Sequence, residues 1–270
     1  MANRIGFMAK FFDDQHEENA APIEEAVVTT PKVSFVQVYF PAKNQKLAYY
    51  NDKFDLRCGD LVYVEGKLEG IRGRVTDISY NFKIKASDYK KVIAVADTNV
   101  KGQFFMAGSH FLTFDPMTLP RKKAALWFMP PDEEEYIFSN DNTAFPLHDL
   151  SQMKVSHAIA ERGHDYYMDN KVRYVCIDGD QGYAIVEGTR PYEVQFVYRD
   201  GEISNLICGC PCVYTCKHSF AAMLQLKETL AIIEKQYQTE YSQSRYFAAV
   251  NKATLFSLAV DGKETGTFTL

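Results

Sequence analysis

The first half of the chain alternates apolar and polar residues with the two-residue period of β-strands. Residues 33–40 alternate in this way and end at Pro41, while residues 61–64 and 92–96 are short apolar runs between turn signals. A further β-like stretch covers residues 102–114. Strands at this spacing, with few helical segments between them, predict a small β-barrel or β-sandwich.

After residue 150, helical and β-like patterns occur together. Apolar residues between 150 and 162 recur at helical spacing, and Gly163 predicts the end of that helix. Several β-like stretches follow up to residue 210, the first of them at residues 166–168, and residues 219–236 again show helical periodicity. The pattern predicts an α+β protein in which a small β-barrel or sandwich is followed by a sheet-plus-helix module.

Shifts in composition and charge divide the chain into segments. The net charge of −5 combines −4 in residues 1–31, +7 in residues 32–130 and −6 in residues 131–153. The expected organisation is an acidic flexible tail (1–31), a basic β-rich domain (32–130), an acidic linker (131–149), a sheet-and-helix module (150–236) and a C-terminal extension (237–270). A basic block inside an acidic chain indicates a surface for nucleic acid.

The composition indicates a folded intracellular protein. Of the 270 residues, 46% are hydrophobic, which is enough to form real cores. No apolar run approaches the length of a membrane span, and the N-terminal residues lack the apolar run and cleavage site of a signal peptide. Four of the six cysteines fall within nine residues, unlike a disulfide framework. We therefore expect a cytoplasmic protein without membrane association, in which clustered thiols bind metal.

The most specific motif is CGCPCVYTCKH, which covers residues 208–218. Cys208 and Cys210 form a Cys-x-Cys pair, and Cys216 and His218 form a Cys-x-His pair after a gap of five residues. Thiolates and a neutral imidazole are ligands that zinc prefers, and four of them close a tetrahedron with no open position for water. The spacing therefore predicts a structural zinc site with these four residues as ligands.

Two further residues of the motif concern the choice of ligands and the start of the following helix. Cys212 forms a second Cys-x-Cys pair with Cys210, so it is either a thiol beside the metal or a ligand in place of Cys208. A reduced thiol cluster without metal, or a redox pair, would also fit the composition. Thr215 precedes the Cys-x-His pair and is a candidate N-cap for the helix that follows.

Residues 154–226 resemble a SWIM-type zinc finger of bacterial proteins. The family pattern is Cys-x-Cys, a variable gap, and Cys-x-His followed by a helix of small residues. The upstream segments are similar as well: Arg162-Gly163, Tyr166-Tyr167, the stretch from Ala184 to Thr189, and Tyr192-Glu193-Val194. The resemblance implies that residues 150–236 are a zinc-binding module. Such modules are similar to ones attached to helicase-like ATPases, transposases and kinases, where they are taken to bind DNA or protein.

The front half also carries a basic stretch with aromatic residues between the cations. The cations are Lys67, Arg72, Arg74, Lys83, Lys85, Lys90 and Lys91, and the interleaved aromatic residues are Tyr63, Tyr80, Phe82 and Tyr89. Cations for phosphates beside rings for stacking predict a surface for single-stranded nucleic acid. The alternative is that the aromatic residues belong to the core and the lysines to a solvated face.

Residues 33–78 are similar to the N-terminal DNA-end-binding domain of primosomal helicases. The similarity rests on Leu56-x-x-Gly59-Asp60-x-Val62-x-Val64, followed by Gly70-x-x-Gly73-x-Val75. It implies a small β domain that contacts DNA. Comparable Gly-Asp-x-Val-x-Val segments also occur in many SH3-like and KOW-like barrels.

The motifs leave two functional hypotheses. No phosphate loop, dinucleotide-binding glycine motif, nucleophile elbow or His-Glu-x-x-His motif is present in the sequence, so we predict a non-enzymatic protein. The first hypothesis is a zinc protein that binds DNA or RNA through the basic β domain and the zinc module. The second is an adaptor that docks a protein partner, such as an ATPase that processes DNA. The basic block favours the first hypothesis, and the acidic net charge favours the second.

Overall fold

The computed structural model describes residues 33–131, 144–212 and 214–260. The predicted acidic tail (1–31) lies outside the described residues, as do residues 132–143 of the predicted linker and residues 261–270 of the predicted C-terminal extension. Within the described ranges the chain is mixed α+β with two antiparallel sheets, which confirms the α+β class expected from the sequence.

The first sheet is built from the front half of the chain. Its strands are β1 (Ser34–Phe40), β2 (Gln45–Asn51), β3 (Leu61–Val64), β4 (Gly73–Ser79) and β5 (Val92–Ala96). They lie in the order β2-β1-β4-β3-β5, and each neighbouring pair is antiparallel. Tyr50 donates its backbone N–H to the carbonyl of Lys90 at 2.9 Å, so the two edges of this sheet meet at that point.

The alternation that predicted β1 corresponds to two faces of the sheet. Val36, Val38 and Phe40 are fully buried, whereas the residues between them are half-buried. Because side chains along a strand point alternately to opposite faces, the apolar set covers the core and Phe35 lies on the outer face. The core of this sheet is completed by residues such as Val62 and Val75 from the neighbouring strands.

The second sheet has more strands than the first and forms the centre of the molecule. Its strands are β6 (Phe105–Ala107), β7 (His110–Thr113), β8 (Phe145–Pro146), β9 (Val172–Asp178), β10 (Gln181–Glu187), β11 (Pro191–Arg199), β12 (Glu202–Cys208) and β13 (Tyr246–Asn251). They lie in the order β6-β7-β13-β9-β10-β11-β12-β8. Gly179 and Gly201 have φ angles of +58° and +84° in the turns that join β9 to β10 and β11 to β12, a conformation that glycine adopts without strain.

The second sheet takes strands from several of the segments that composition suggested. Strands β6 and β7 come from the predicted basic domain, and β13 comes from the predicted C-terminal extension. β13 pairs with β7 on one side and with β9 on the other. The boundaries drawn at residues 130 and 236 therefore do not coincide with the limits of this sheet.

Helices cover the second sheet and connect its strands. They are α1 (Arg121–Leu126), α2 (His157–Met168), α3 (Lys217–Gln236), α4 (Gln238–Ser244) and α5 (Lys252–Leu255). Helix α2 begins after Ser156, whose hydroxyl oxygen accepts the N–H of Ile159 at 3.4 Å. Helix α3 agrees closely with the helix expected at residues 219–236.

The expected end of α2 at Gly163 is wrong. The helix continues to Met168, so residues 166–168 form its last turn and not a strand. Gly163 lies where α2 crosses α3, and a Cβ atom there would be 2.8 Å from the Cβ of Phe220. The glycine therefore allows two helices to approach closely, and its role is in packing and not in ending the helix.

The two faces of the second sheet are covered by different elements. On one face, Ala222, Met223 and Leu226 of α3 are fully buried against apolar residues such as Val175 and Ile177. The opposite face packs against α1 and the fully buried Trp127. The sheet is thus the middle layer. The chain continues from the last residue of β12 to the start of α3.

Trp127 also connects the first sheet to the second. Its indole N–H donates to the carbonyl of Asp97, just after β5, at 2.7 Å. Its own carbonyl accepts a hydrogen bond from the guanidinium of Arg72, at the entry to β4. In the described parts of the chain, no helix combines the length and the apolar character needed to cross a membrane.

Candidate metal centre

The four predicted ligands come together where β12 ends and α3 begins. Cys208 is the last residue of β12, and Cys210 follows it after one glycine. Cys216 is the N-cap of α3, and His218 lies in its first turn. One ligand atom from each residue lies within 4.8 Å of the others, a grouping that could bind a metal ion.

The distances in this cluster are close to those of a tetrahedral metal site. The Nδ1 atom of His218 is 3.6 Å from the Sγ atom of Cys216 and 3.9 Å from that of Cys208. Zinc bond lengths in a regular tetrahedron correspond to about 3.6 Å between nitrogen and sulfur and about 3.8 Å between two sulfurs. Cys210, Cys216 and His218 are each less than 10% exposed, so the cluster is largely shielded from water.

The start of α3 favours a thiolate at Cys216. Its sulfur accepts the backbone N–H of Ser219 at 3.5 Å and lies 3.5 Å from the Ser219 hydroxyl. Hydrogen bonding from the Cys208 thiol, and then from His218 and Ser219, lowers the pKa of Cys216, while the same contact with Cys216 raises the pKa of Cys208. Burial raises the pKa of Cys210 to about 11. Cys216 is therefore the thiol whose anion this environment stabilises most.

The expectation that Thr215 caps α3 is wrong, because Cys216 occupies the N-cap position. The chain reaches that position through an exposed loop in which Tyr214 is 85% exposed. Cys212 is also exposed and is not part of the four-residue cluster. Gly209 donates its N–H to the carbonyl of Glu193 at 2.9 Å, which continues the β11–β12 pairing past the first ligand.

Sequence reasoning missed the residues that surround the imidazole of His218. The ring centroid of Tyr192 lies 4.6 Å from that of His218, and the ring of Tyr166 lies at 5.4 Å. Gly188 approaches so closely that a Cβ atom there would be 2.9 Å from Nε2. These positions belong to the upstream segments of the resemblance described above, which was the available signal, but nothing in their spacing indicated that they meet at one ligand.

The predicted nucleic-acid-binding cations do not share one environment. Lys67, Lys83, Lys85 and Lys90 are exposed, and Arg74 is half-buried. The guanidinium of Arg72 is directed inward to the Trp127 carbonyl, and burial lowers the pKa of Arg72. Lys91 donates to Asp52 at 2.6 Å, a hydrogen bond that raises the pKa of Lys91.

The interleaved aromatic residues are also divided. Tyr63 is fully buried in the core. Phe82 and Tyr89 pack on the outer face of β1 and β2, where the ring of Phe35 is 4.7 Å from Tyr89 and 6.1 Å from Phe82. Tyr80 is 52% exposed at the beginning of the same segment. We call residues 80–91 the lysine segment.

The chain was compared with known proteins in three ways. A scan against protein-family models and searches of curated proteins and of solved structures found no match to the chain.

Proposed function

We propose that this protein is a non-enzymatic zinc protein that binds single-stranded nucleic acid through the lysine segment. Two parts of this proposal are separable: a structural zinc ion bound by Cys208, Cys210, Cys216 and His218, and a nucleic-acid surface on the first sheet.

The zinc part is supported by the chemistry of the four ligand residues. Three thiols and one imidazole, largely buried and with their ligand atoms within 4.8 Å of one another, are the ligand types of a structural zinc site with no position open to water. A bound ion would join the end of β12 to the start of α3. Because α3 packs on the sheet to which β12 belongs, this link would stabilise the module. The ion would take no part in a reaction.

The nucleic-acid part is carried by one observation, the alternation of residues 81–85. Phe82 and Ile84 are half-buried against the protein, while Lys83 and Lys85 are exposed between them. Both lysine side chains therefore lie on the solvent side. The contact of Phe82 with Phe35 holds the segment against the first sheet, and the same segment carries the exposed Tyr80, so it offers the cations and the ring that single strands bind.

Two other exposed lysines extend this surface. Lys90 is the next-to-last residue of the lysine segment, and its side chain lies against Gly66, since a Cβ atom on that glycine would be 3.4 Å from the Cγ of Lys90. Lys67 is the next residue after Gly66. Four exposed cations thus lie on and beside the lysine segment, whereas the head group of Arg72 is bound by the Trp127 carbonyl and that of Lys91 by Asp52.

The zinc part is tested by elemental analysis of purified, untagged protein. We expect about one zinc ion per chain. Cys216→Ser should lose it, while Cys212→Ser should retain it, because Cys212 lies outside the cluster. Wild-type protein without bound zinc would contradict this part, and zinc loss in the Cys212 variant would show that the ligand set is wrong.

The nucleic-acid part is tested by fluorescence anisotropy with a labelled single-stranded oligonucleotide over a series of salt concentrations. Lys83→Gln with Lys85→Gln should weaken binding about tenfold at 0.15 M salt and reduce the slope of log K against log salt by about 1.4, because two phosphate contacts are lost. The matched control is Lys154→Gln with Lys235→Gln, which removes two exposed lysines elsewhere. Equal affinity and slope in both double variants would refute the proposed surface.

A further inference from the structure

The imidazole of His218 lies between two aromatic rings. The plane of Tyr192 is tilted by 34° to the imidazole at a centroid distance of 4.6 Å, which is close to stacking. Tyr166 meets the imidazole at 66° and 5.4 Å, closer to an edge contact. Only 5% of His218 is exposed, so these contacts leave the ring little room to rotate.

Gly188 forms a third side of this enclosure. A Cβ atom at this position would lie 2.8 Å from Tyr192 and 2.9 Å from Nε2 of His218. The N–H of Gly188 donates to the carbonyl of Arg190 at 2.9 Å, so the turn that presents the glycine is itself fixed. Since φ of Gly188 is not in the left-handed region, the requirement for glycine here comes from the space and not from the backbone conformation.

The two tyrosines are held in place by contacts of their own. The Tyr192 hydroxyl is 2.8 Å from Oγ1 of Thr189, and the Arg190 guanidinium lies 5.5 Å from the Tyr192 ring. The Lys217 ammonium lies 4.4 Å from the ring of Tyr166, a favourable cation–π distance. Tyr192 also packs with the cysteines of the metal cluster. The rings are therefore fixed parts of the site.

We propose that Tyr166, Tyr192 and Gly188 are positioning residues that fix the imidazole of His218 with Nδ1 facing the sulfurs of Cys208 and Cys216. A half-turn of the imidazole about its Cβ–Cγ bond would replace Nδ1 by a carbon atom and remove one ligand. The enclosure prevents that rotation, so metal affinity and coordination geometry depend on residues of α2, of the β10–β11 turn and of β11 that are not members of the four-residue cluster. This inference rests on the proposed metal site and assigns residues that control it.

Outer-shell residues of metal sites commonly affect affinity by 10- to 100-fold. We therefore expect Tyr166→Leu and Gly188→Ala each to raise the dissociation constant for Zn²⁺ by roughly that factor. Tyr192→Leu should have the same effect, because it removes the ring that lies 4.6 Å from the imidazole. The neighbouring Tyr167→Leu is the matched control for Tyr166→Leu, because Tyr167 is half-buried on the same helix and contacts His164 and not the metal ligand.

The experiment uses the full chain, with zinc affinity measured by chelator competition and geometry measured by the absorption of the Co²⁺-substituted protein. Tetrahedral cobalt with three thiolates and one imidazole has ligand-field bands whose position and intensity report the ligand arrangement. Altered bands in Tyr166→Leu, Tyr192→Leu and Gly188→Ala, with unchanged bands in Tyr167→Leu, would support the inference. A general loss of stability would affect Tyr166→Leu and Tyr167→Leu alike and would leave the spectrum of the folded protein unchanged.

Two results would overturn the inference in distinguishable ways. Wild-type affinity and a wild-type cobalt spectrum in both Tyr166→Leu and Gly188→Ala would show that these residues do not position His218. Failure of the wild-type protein itself to bind Zn²⁺ or Co²⁺ would refute the metal site and this inference with it.

Discussion

Acidification should destabilise the protein through one buried histidine, His110, at the start of β7. Its side chain is fully buried, with Nε2 2.8 Å from the carbonyl of Val172 and Nδ1 2.9 Å from Oγ of Ser109. Because a carbonyl only accepts, Nε2 carries the proton of a neutral imidazole and Nδ1 accepts from the serine hydroxyl. Burial, together with the nearby charges of Arg173 and Lys252, lowers the pKa of His110 to about 4.

The size of the effect follows from the difference between the folded and unfolded pKa values. An unfolded histidine titrates near 6.5, so between pH 6.5 and pH 4 the unfolded chain binds more protons than the folded one. The contribution of His110 to the free energy of unfolding is therefore fully present above pH 6.5. It is lost progressively as the pH falls from 6.5 to 4. At 1.36 kcal/mol per pKa unit, the total loss is about 3 kcal/mol, of which about 2 kcal/mol is reached by pH 5.

Urea denaturation at a series of pH values between 8 and 5 measures this loss. Wild-type protein should lose about 2 kcal/mol more than His110→Asn over that range, because carboxylates and thiols titrate equally in both proteins. His157→Asn, at a side chain that is 87% exposed, is the matched control for the substitution itself. The same pH dependence in wild type and His110→Asn would refute the reasoning.

Two further predictions concern packing. Gly163→Val should destabilise the protein by about 1–3 kcal/mol, because the added atoms meet Phe220 at the crossing of α2 and α3, whereas Ala158→Val on the exposed side of α2 should change the thermal midpoint little. Arg72→Met should cost about 1–3 kcal/mol by leaving the Trp127 carbonyl without its donor. It should leave oligonucleotide affinity unchanged below the midpoint, and a large loss of affinity would place Arg72 on the binding surface.

Local sequence patterns predicted those elements whose limits are set by neighbouring residues. The bounds of β3 and β5 agree with the apolar runs that predicted them, because turn residues flank each run. The four members of the metal cluster were found for the same reason, since all of them lie within eleven residues. A short spacing between ligands constrains the geometry directly, whatever the rest of the chain does.

Contacts between distant segments could not be predicted in the same way. Gly163 has the identity of a helix-ending residue, and only the presence of Phe220 on a crossing helix shows why the helix continues. Tyr166 and Gly188 lie far from His218 in sequence, so their convergence depends on how α2 and the β10–β11 turn pack. The residues of β13 were assigned to the C-terminal extension, because a local pattern does not show with which strands a distant segment pairs.

Charge counting showed a similar limit. Seven cations between residues 67 and 91 were equivalent in the sequence, but in the fold the head group of Arg72 is directed to a backbone carbonyl and that of Lys91 to Asp52. The sequence identifies how much charge a segment carries. The fold decides which of those charges remain available at the surface.

The position of β13 has a consequence for how the protein can be made. This strand comes from residues 246–251, yet it lies between β7 and β9, so the sheet has a gap at its middle until residues 246–251 have left the ribosome. During that interval both flanking strands present unpaired backbone edges, at which nascent chains associate with one another. A fragment that ends after α3 lacks β13, so its sheet retains the gap. We expect such a fragment to form insoluble aggregates.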